Sequence, residues 1–204
     1  VLGAGVAGLQ AIATARRLGA VVCATDVRLA TKEQVESLGA KFIMVEDEES
    51  RQAETSGGYA KEMSKEYKLK QSQLIAETIS KQNIVISTAL IPGKLAPVLV
   101  TPEMVETMAP GSVIVDLAVE TGGNCSLSKM GEIVSYKGVK IIGYDNVPGR
   151  VAKDASSLYA KNIVNFLSLI IGKNDKKIII DWEDEIIKAV IFTHDGNLKL
   201  EQFK

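Results

Sequence analysis

The chain opens with Val1-Leu2-Gly3-Ala4-Gly5-Val6-Ala7-Gly8, and eighteen residues past Gly8 the apolar run Ala20-Val21-Val22-Cys23-Ala24-Thr25 ends in Asp26. A G-x-G-x-x-G alone is a common turn. Set between strand residues and a helix, and followed by a second strand that ends in an acid, it reads as a dinucleotide-binding turn. Gly3 permits the tight strand-to-helix turn. Gly5 lacks the Cβ that would hold a pyrophosphate away from the backbone, and Gly8 lets the helix lie close on the sheet. The amides that start the helix, Val6 among them, present N–H groups and a partial positive charge to phosphates. Asp26 accepts hydrogen bonds from both hydroxyls of an adenosine ribose and repels a 2′-phosphate, so NAD is expected over NADP. An ordinary glycine turn beside a surface aspartate is the competing explanation. Arg28 leaves three placements open: against a 2′-phosphate, over the adenine, or in solvent.

Outward from this stretch, helices are expected over Val6–Leu18 and Thr31–Leu38, and a strand over Lys41–Val45. That is β-α-β-α-β in about 45 residues, the layout of a parallel sheet with crossover helices. Glu46–Tyr59 is acidic, then polar, then carries Gly57-Gly58, and is expected as a long exposed loop. A long amphipathic helix follows over Ala60–Lys81. Apolar strands are expected at Asn83–Ser87, Ser112–Asp116 and Val139–Ile142, with a turn over Tyr136–Gly138. Thr101 caps a helix that has Pro102 at its first position. Ala155–Ile171 is a long helix, after which Lys177–Ile180 and Ile186–Thr193 read as strands, with a turn at Asp195-Gly196. The fold class expected is α/β, a Rossmann-type doubly wound parallel sheet over residues 1–175. Residues 176–204 break the alternation and are expected to cross to a second lobe. A strand needs about five residues, so the first strand is expected to be cut short, with further residues ahead of Val1.

Lys and Arg total 24 against 25 Asp and Glu, so the basic excess of a nucleic-acid binder is missing. Apolar runs fall well short of the ~20 residues that span a bilayer, and direct membrane insertion of this chain is not expected. Cys23 and Cys125 lack metal-ligand spacing and read as reduced thiols. His194 sits beside the Asp195-Gly196 turn and reads as a solvated turn residue rather than a general base. No catalytic acid, base, nucleophile or metal cluster is expected.

Two further stretches carry a resemblance. Thr88-Ala89-Leu90-Ile91-Pro92-Gly93-Lys94 with Ala96-Pro97, and Pro110–Ala118 running into Gly122-Gly123-Asn124, resemble motifs shared by alanine dehydrogenases and the NAD domains of proton-translocating NAD(P) transhydrogenases. Gly57-Gly58-Tyr59-Ala60-Lys61-Glu62-Met63 resembles the mobile loop of transhydrogenases. Gly122-Gly123-Asn124-Cys125, and Val147-Pro148-Gly149-Arg150 with Asp154-Ala155-Ser156, also take the transhydrogenase form, and Glu120-Thr121 stands where alanine dehydrogenases place a catalytic aspartate.

The resemblance implies an NAD(H)-binding component from which hydride passes directly to NADP+ held on a partner domain, coupled to proton translocation. The cofactors would carry the chemistry, and the protein would supply orientation and water exclusion. The implied partners are the NADP(H)-binding domain and the membrane domain of the same enzyme, with a homodimer of this domain facing the bacterial cytoplasm or the mitochondrial matrix. The cofactor-binding set would be Gly3, Gly5, Val6 and Gly8 at the pyrophosphate; Asp26, Val27 and Arg28 around the adenosine; Gly58 and Tyr59 in the closing loop; Gln71; and Ala89 and Leu90 along the cleft. Two of these have an alternative. Tyr59 would serve equally to anchor its loop to the core, and Gln71 to face solvent from its helix. In the family a second lobe ahead of the glycine turn carries an Arg-Gln-Asp loop, which lies outside this chain. The fragment is therefore expected to hold NAD(H) by its adenosine end and to turn over nothing by itself. The alternatives are an alanine-dehydrogenase-like oxidoreductase and a non-catalytic NAD-binding module.

Overall fold

The structure is a computed structural model that describes residues 1–45, 64–91, 93–172, 174 and 176–199. Two compact units make up the chain, Val1–Val147 and Pro148–Lys204. This division falls upstream of residue 175 and places the long helix with the C-terminal segment.

In the first unit the elements run α1 (Val6–Arg17), β1 (Cys23–Ala24), α2 (Thr31–Ser37), β2 (Lys41–Phe42), α3 (Lys65–Ile79), β3 (Ile84–Ser87), α4 (Pro102–Glu106), β4 (Val113–Asp116), β5 (Glu132–Tyr136) and β6 (Val139–Gly143). β1 pairs with β2 in parallel. Leu2 bridges in parallel to Thr25, just past β1, and also to Ser87 in β3. β3, β4 and β6 continue in parallel, and β5 closes the edge antiparallel to β6. The spatial order is thus β2, β1, the Leu2 segment, β3, β4, β6, β5. From Leu2 the chain first builds outward through β1 and β2, then returns to Leu2's other flank to build β3 and β4. That reversal is the topological switch point of a doubly wound sheet.

Alternation along β1 explains why both faces are covered. Val22 and Ala24 join Ile12, Val35 and Ala40 in a core beneath α1 and α2. Cys23 points the other way and lines a small cavity with Ile43, Ile75 and Ile79 under α3. A larger core gathers Ile75, Ile79, Val85, Met104, Val105, Met108, Ile114, Val139 and Ile141. Burying each such side chain stabilises the fold by about 1.5–3 kcal/mol.

Local signals end the helices where expected. Thr101 caps α4, its hydroxyl accepting from the Met104 amide at 3.4 Å, with Pro102 first in the helix. Ser64 caps α3 in the same way, accepting from the Tyr67 amide at 3.1 Å.

The strand Glu132–Tyr136 is absent from the sequence reading. It is mostly exposed, so it carries no apolar run to announce it. Its register is set by the turn after it, where Lys137 (φ 46°) and Gly138 (φ 83°) both take left-handed conformations, the geometry of a two-residue hairpin.

The second unit holds α5 (Ala152–Ile170), α6 (Glu185–Val190) and a hairpin of β7 (Thr193–His194) and β8 (Asn197–Leu198). Two expectations are corrected here. Ile186–Thr193 begins as a helix rather than a strand, because Asp184 caps its start, accepting from the amides of Ile186 at 2.8 Å and Ile187 at 3.0 Å. Lys177–Ile180 contributes a single antiparallel bridge, Ile171 to Ile178, in place of a strand. The Asp195-Gly196 turn is present, with φ of 49° and 72°. His194 lies in that hairpin, its ring edge-on to Trp182 at 4.8 Å.

At the carboxyl edge of the sheet, Asp116 is wholly buried. Its carboxylate accepts from the hydroxyls of Ser87 (3.2 Å) and Ser128 (2.7 Å) and the amides of Ala118 (3.0 Å) and Cys125 (2.9 Å). Removing it strands these donors. Asp116→Ala is expected to lower unfolding free energy by about 3 kcal/mol or more in urea titration; a loss under 1 kcal/mol would show that the network is dispensable.

Candidate functional site

The glycine turn sits at the switch point, between the ends of β1 and β3. It is tied in by hydrogen bonds from the Gly3 amide to the Thr25 carbonyl and from the Thr88 amide to the Leu2 carbonyl, both 2.8 Å. The three glycines have different duties. Gly3 has φ 101°, and a Cβ there would lie 2.6 Å from the Thr88 hydroxyl. A Cβ on Gly8 would overlap the Gly3 carbonyl oxygen, so Gly8 closes the turn on itself. A Cβ on Gly5 would meet nothing within 4 Å, so packing gives no reason for a glycine at this position. The first turn of α1 faces outward, with Val6 91% exposed. The first amide bonded within the helix is that of Leu9, to Gly5 at 2.8 Å, which leaves the amides before it directed out of the helix end. No side chain caps this end.

Asp26 lies beside that turn and is bonded to it. Its Oδ2 accepts from the Ala4 amide at 2.8 Å. Oδ1 accepts from the Arg28 amide and from Arg28 Nε, both 2.9 Å, and Arg28 Nη2 donates to Oδ2 at 3.0 Å. Burial pushes the carboxyl pKa up, but the hydrogen bonds from the Arg28 side chain, the Ala4 amide and the Arg28 amide, together with the Arg28 charge, outweigh it. The net effect holds Asp26 below its ordinary value of 3.8. Arg28 is therefore joined to the acid in a two-point fork, a placement outside the three left open by the sequence. Val27, between them, is half exposed.

Gln71 is not directed to solvent. Its amide spans two strand ends, Nε2 donating to the Thr25 hydroxyl at 2.9 Å and Oε1 accepting from the Val45 amide at 2.9 Å. It thereby fixes the residue just before Asp26. Ala89 and Leu90 leave the end of β3, Leu90 exposed. Ala89 is held by Asn124, which is wholly buried; Asn124 accepts from the Ala89 amide at 3.0 Å and donates to the Ala89 carbonyl at 2.9 Å and the Pro97 carbonyl at 2.8 Å. The sequence marks Asn124 only as a member of the Gly-Gly-Asn motif. Its signal is a polar residue after two glycines of positive φ, Gly122 (104°) and Gly123 (85°), in a stretch with little room: a Cβ on Gly123 would lie 2.8 Å from the Asp116 carboxylate.

Gly58 and Tyr59 lie outside the described residues. Every other candidate is described. Gly3, Gly5, Val6, Gly8, Asp26, Val27 and Arg28 form one continuous group through the Ala4–Asp26 bond. Gln71 supports that group from below, and Ala89 and Leu90 begin on the β3 side of the same switch point. Cys125 is buried, which raises its thiol pKa, and it serves the Asp116 network through its backbone. Among the described residues, no His, Cys, Asp and Glu side chains cluster as metal ligands, and no helix is long and apolar enough to cross a membrane.

A glycine turn, a helix start and an acid at the next strand's end, gathered at the switch point of a parallel sheet, define an NAD-binding, dehydrogenase-like fold. Residues 1–201 match the alanine dehydrogenase/PNT C-terminal domain family, and the chain belongs to that family. It is 61% identical over 196 residues to an NAD(P) transhydrogenase alpha subunit of Rhodospirillum rubrum, an alignment covering 96% of this chain and 51% of that protein. Among solved structures, a transhydrogenase from Sinorhizobium meliloti superposes with a TM-score of 0.78 at 55% identity, covering 97% of this chain and 51% of that one. An L-alanine dehydrogenase superposes at 0.65 with 26% identity, covering 81% and 41%. The chain thus spans about half the length of the Rhodospirillum relative.

The duties of Gly5 and Gly8 predict opposite outcomes for one added methyl. Gly8→Ala should cost about 3 kcal/mol of stability. Gly5→Ala should change stability by less than about 1 kcal/mol, yet weaken NADH binding at least about tenfold, because its Cβ fills space only a phosphate needs. Thermal melts and NADH fluorescence titration read the two effects; equal NADH affinity in Gly5→Ala and the parent chain would remove Gly5 from the site.

Proposed function

We propose that this chain is the NAD(H)-binding component of a proton-translocating NAD(P) transhydrogenase. The observation that carries the proposal is the Ala4–Asp26 hydrogen bond of 2.8 Å, which sets a carboxylate beside an outward-facing helix start that only a glycine leaves clear. The fit to a dinucleotide is direct. The amides of the Gly5–Gly8 turn hold the pyrophosphate, Asp26 takes the ribose hydroxyls, Val27 and Arg28 flank the adenosine, and Ala89 and Leu90 line the cleft beyond. We include Gly58 and Tyr59 as the loop that closes over the nucleotide, and Gln71 as the residue that steadies the Asp26 strand end.

When bound, the nicotinamide supplies hydride to NADP+ on a partner domain. The protein's share is to bind, to orient and to exclude water. This accords with a site built from backbone amides and one acid, and with relatives named as transhydrogenase alpha subunits. The partners in this reading are an NADP(H)-binding domain and a membrane domain of the same enzyme, with two copies of this domain facing the bacterial cytoplasm or the mitochondrial matrix. Residues 176–204 would belong to a second lobe.

NAD is favoured over NADP because Asp26 stays ionised. Its lowered carboxyl pKa means that its ion pair stabilises the fold fully above the unfolded value near 3.9, and that this contribution is lost as pH falls through the lower folded value. NADH affinity is accordingly expected to be flat from about pH 5 upward. Asp26→Asn should weaken NADH about tenfold to a hundredfold and raise NADPH affinity relative to NADH. Fluorescence titration with both nucleotides checks this, and a parent chain that bound NADPH more tightly than NADH would overturn the assignment.

A further inference from the structure

An ionised carboxylate offers about four acceptor positions, two on each oxygen. At Asp26 four donors already occupy it. Oδ1 accepts from the Arg28 amide and Nε, and Oδ2 from the Ala4 amide and Arg28 Nη2, all between 2.8 and 3.0 Å. The two amides belong to the glycine turn and to the chain just past the acid, so they cannot leave while the fold stands. The guanidinium can. Its side chain is 31% exposed, whereas that of Asp26 is 7% exposed.

A ribose diol therefore cannot simply be added to this carboxylate. It must replace the fork, two O–H donors for two N–H donors. Without such a partner, the largely buried charge would lose half its hydrogen bonds, which is strongly unfavourable. We propose that the Arg28 guanidinium is a displaceable occupant of the diol-binding carboxylate, so that Arg28 and the adenosine ribose compete for Asp26. Arg28 stands in for the diol when no nucleotide is present, and its departure offsets much of what the two hydroxyls contribute on binding. It is thereby a residue that sets nucleotide affinity without entering the chemistry. The inference rests on the reading of Asp26 as the ribose acceptor.

The test isolates the diol from any contact Arg28 makes after it moves. ADP and 2′,3′-dideoxy-ADP serve as probes on the full chain, and the ratio of their dissociation constants measures what the diol contributes. In Arg28→Ala and Arg28→Met, which leave the backbone amide at Asp26, that ratio should rise about three- to tenfold above the parent's. In addition, the Arg28 Nε–H resonance in 15N-edited spectra should shift when NADH binds. A ratio unchanged in both variants, or an Nε–H that keeps its shift in the NADH complex, overturns the competition. Asp26→Asn separates the two ideas. There the ratio should fall toward one; a ratio that stayed at the parent's value would overturn the ribose reading itself, and the competition with it.

Discussion

The 2.8 Å hydrogen bond from the Ala4 amide to Asp26 is the contact on which the rest of the site depends. It joins two segments 22 residues apart in the chain, the turn that leaves the first strand position and the end of β1. Each half alone is ordinary: glycine turns are frequent, and so are acids at strand ends. Bonded together at a switch point, they fix the distance between a helix start and a carboxylate. A dinucleotide needs that relation, because its pyrophosphate and its ribose hydroxyls are covalently linked and must be met together.

The supports around this contact follow one principle. Loops leave a parallel sheet at its carboxyl edge, and their backbone groups must find partners there. Here the partners are polar side chains, used to saturation. Asp116 collects four donors, Asn124 engages both polar groups of the Ala89 peptide, and Gln71 spans Thr25 and Val45. Among the described residues, no buried side-chain polar atom lacks a partner. Networks of this kind rigidify when complete, so the edge is organised before any ligand is considered.

How much of this was legible in the sequence depended on whether a feature was local. Gly3, Gly5, Gly8 and Asp26 were legible because the turn's geometry dictates residue type at fixed spacing. The Thr101-Pro102 helix start was legible for the same reason. The helix at Glu185–Val190 was misread, since Ile186, Ile187 and Val190 look like strand residues and the cap from Asp184 outweighed them. The strand Glu132–Tyr136 was missed because it is exposed and lacks the apolar signature. The pairing of Arg28 with Asp26 and the strut of Gln71 depend on side-chain directions and on contacts up to 46 residues apart, which no pattern along the chain encodes. The motif containing Asn124 was visible, but its task was not, because the peptide it grips lies 35 residues away.

The remaining contrast is between what is fixed and what can exchange. The amides at Asp26, and the side chains of Asp116 and Asn124, are buried or belong to the turn, and breaking any of them exposes groups that nothing else would satisfy. The Arg28 fork differs: it is charged, partly exposed and reaches the acid by a flexible stem, so water can take up its donors when it leaves. A site that must bind a dinucleotide and release it again gains from having its reversible step confined to one such side chain. The acid can then be buried enough to discriminate a diol from a phosphate and still remain ionised between binding events, because the guanidinium holds it in that state.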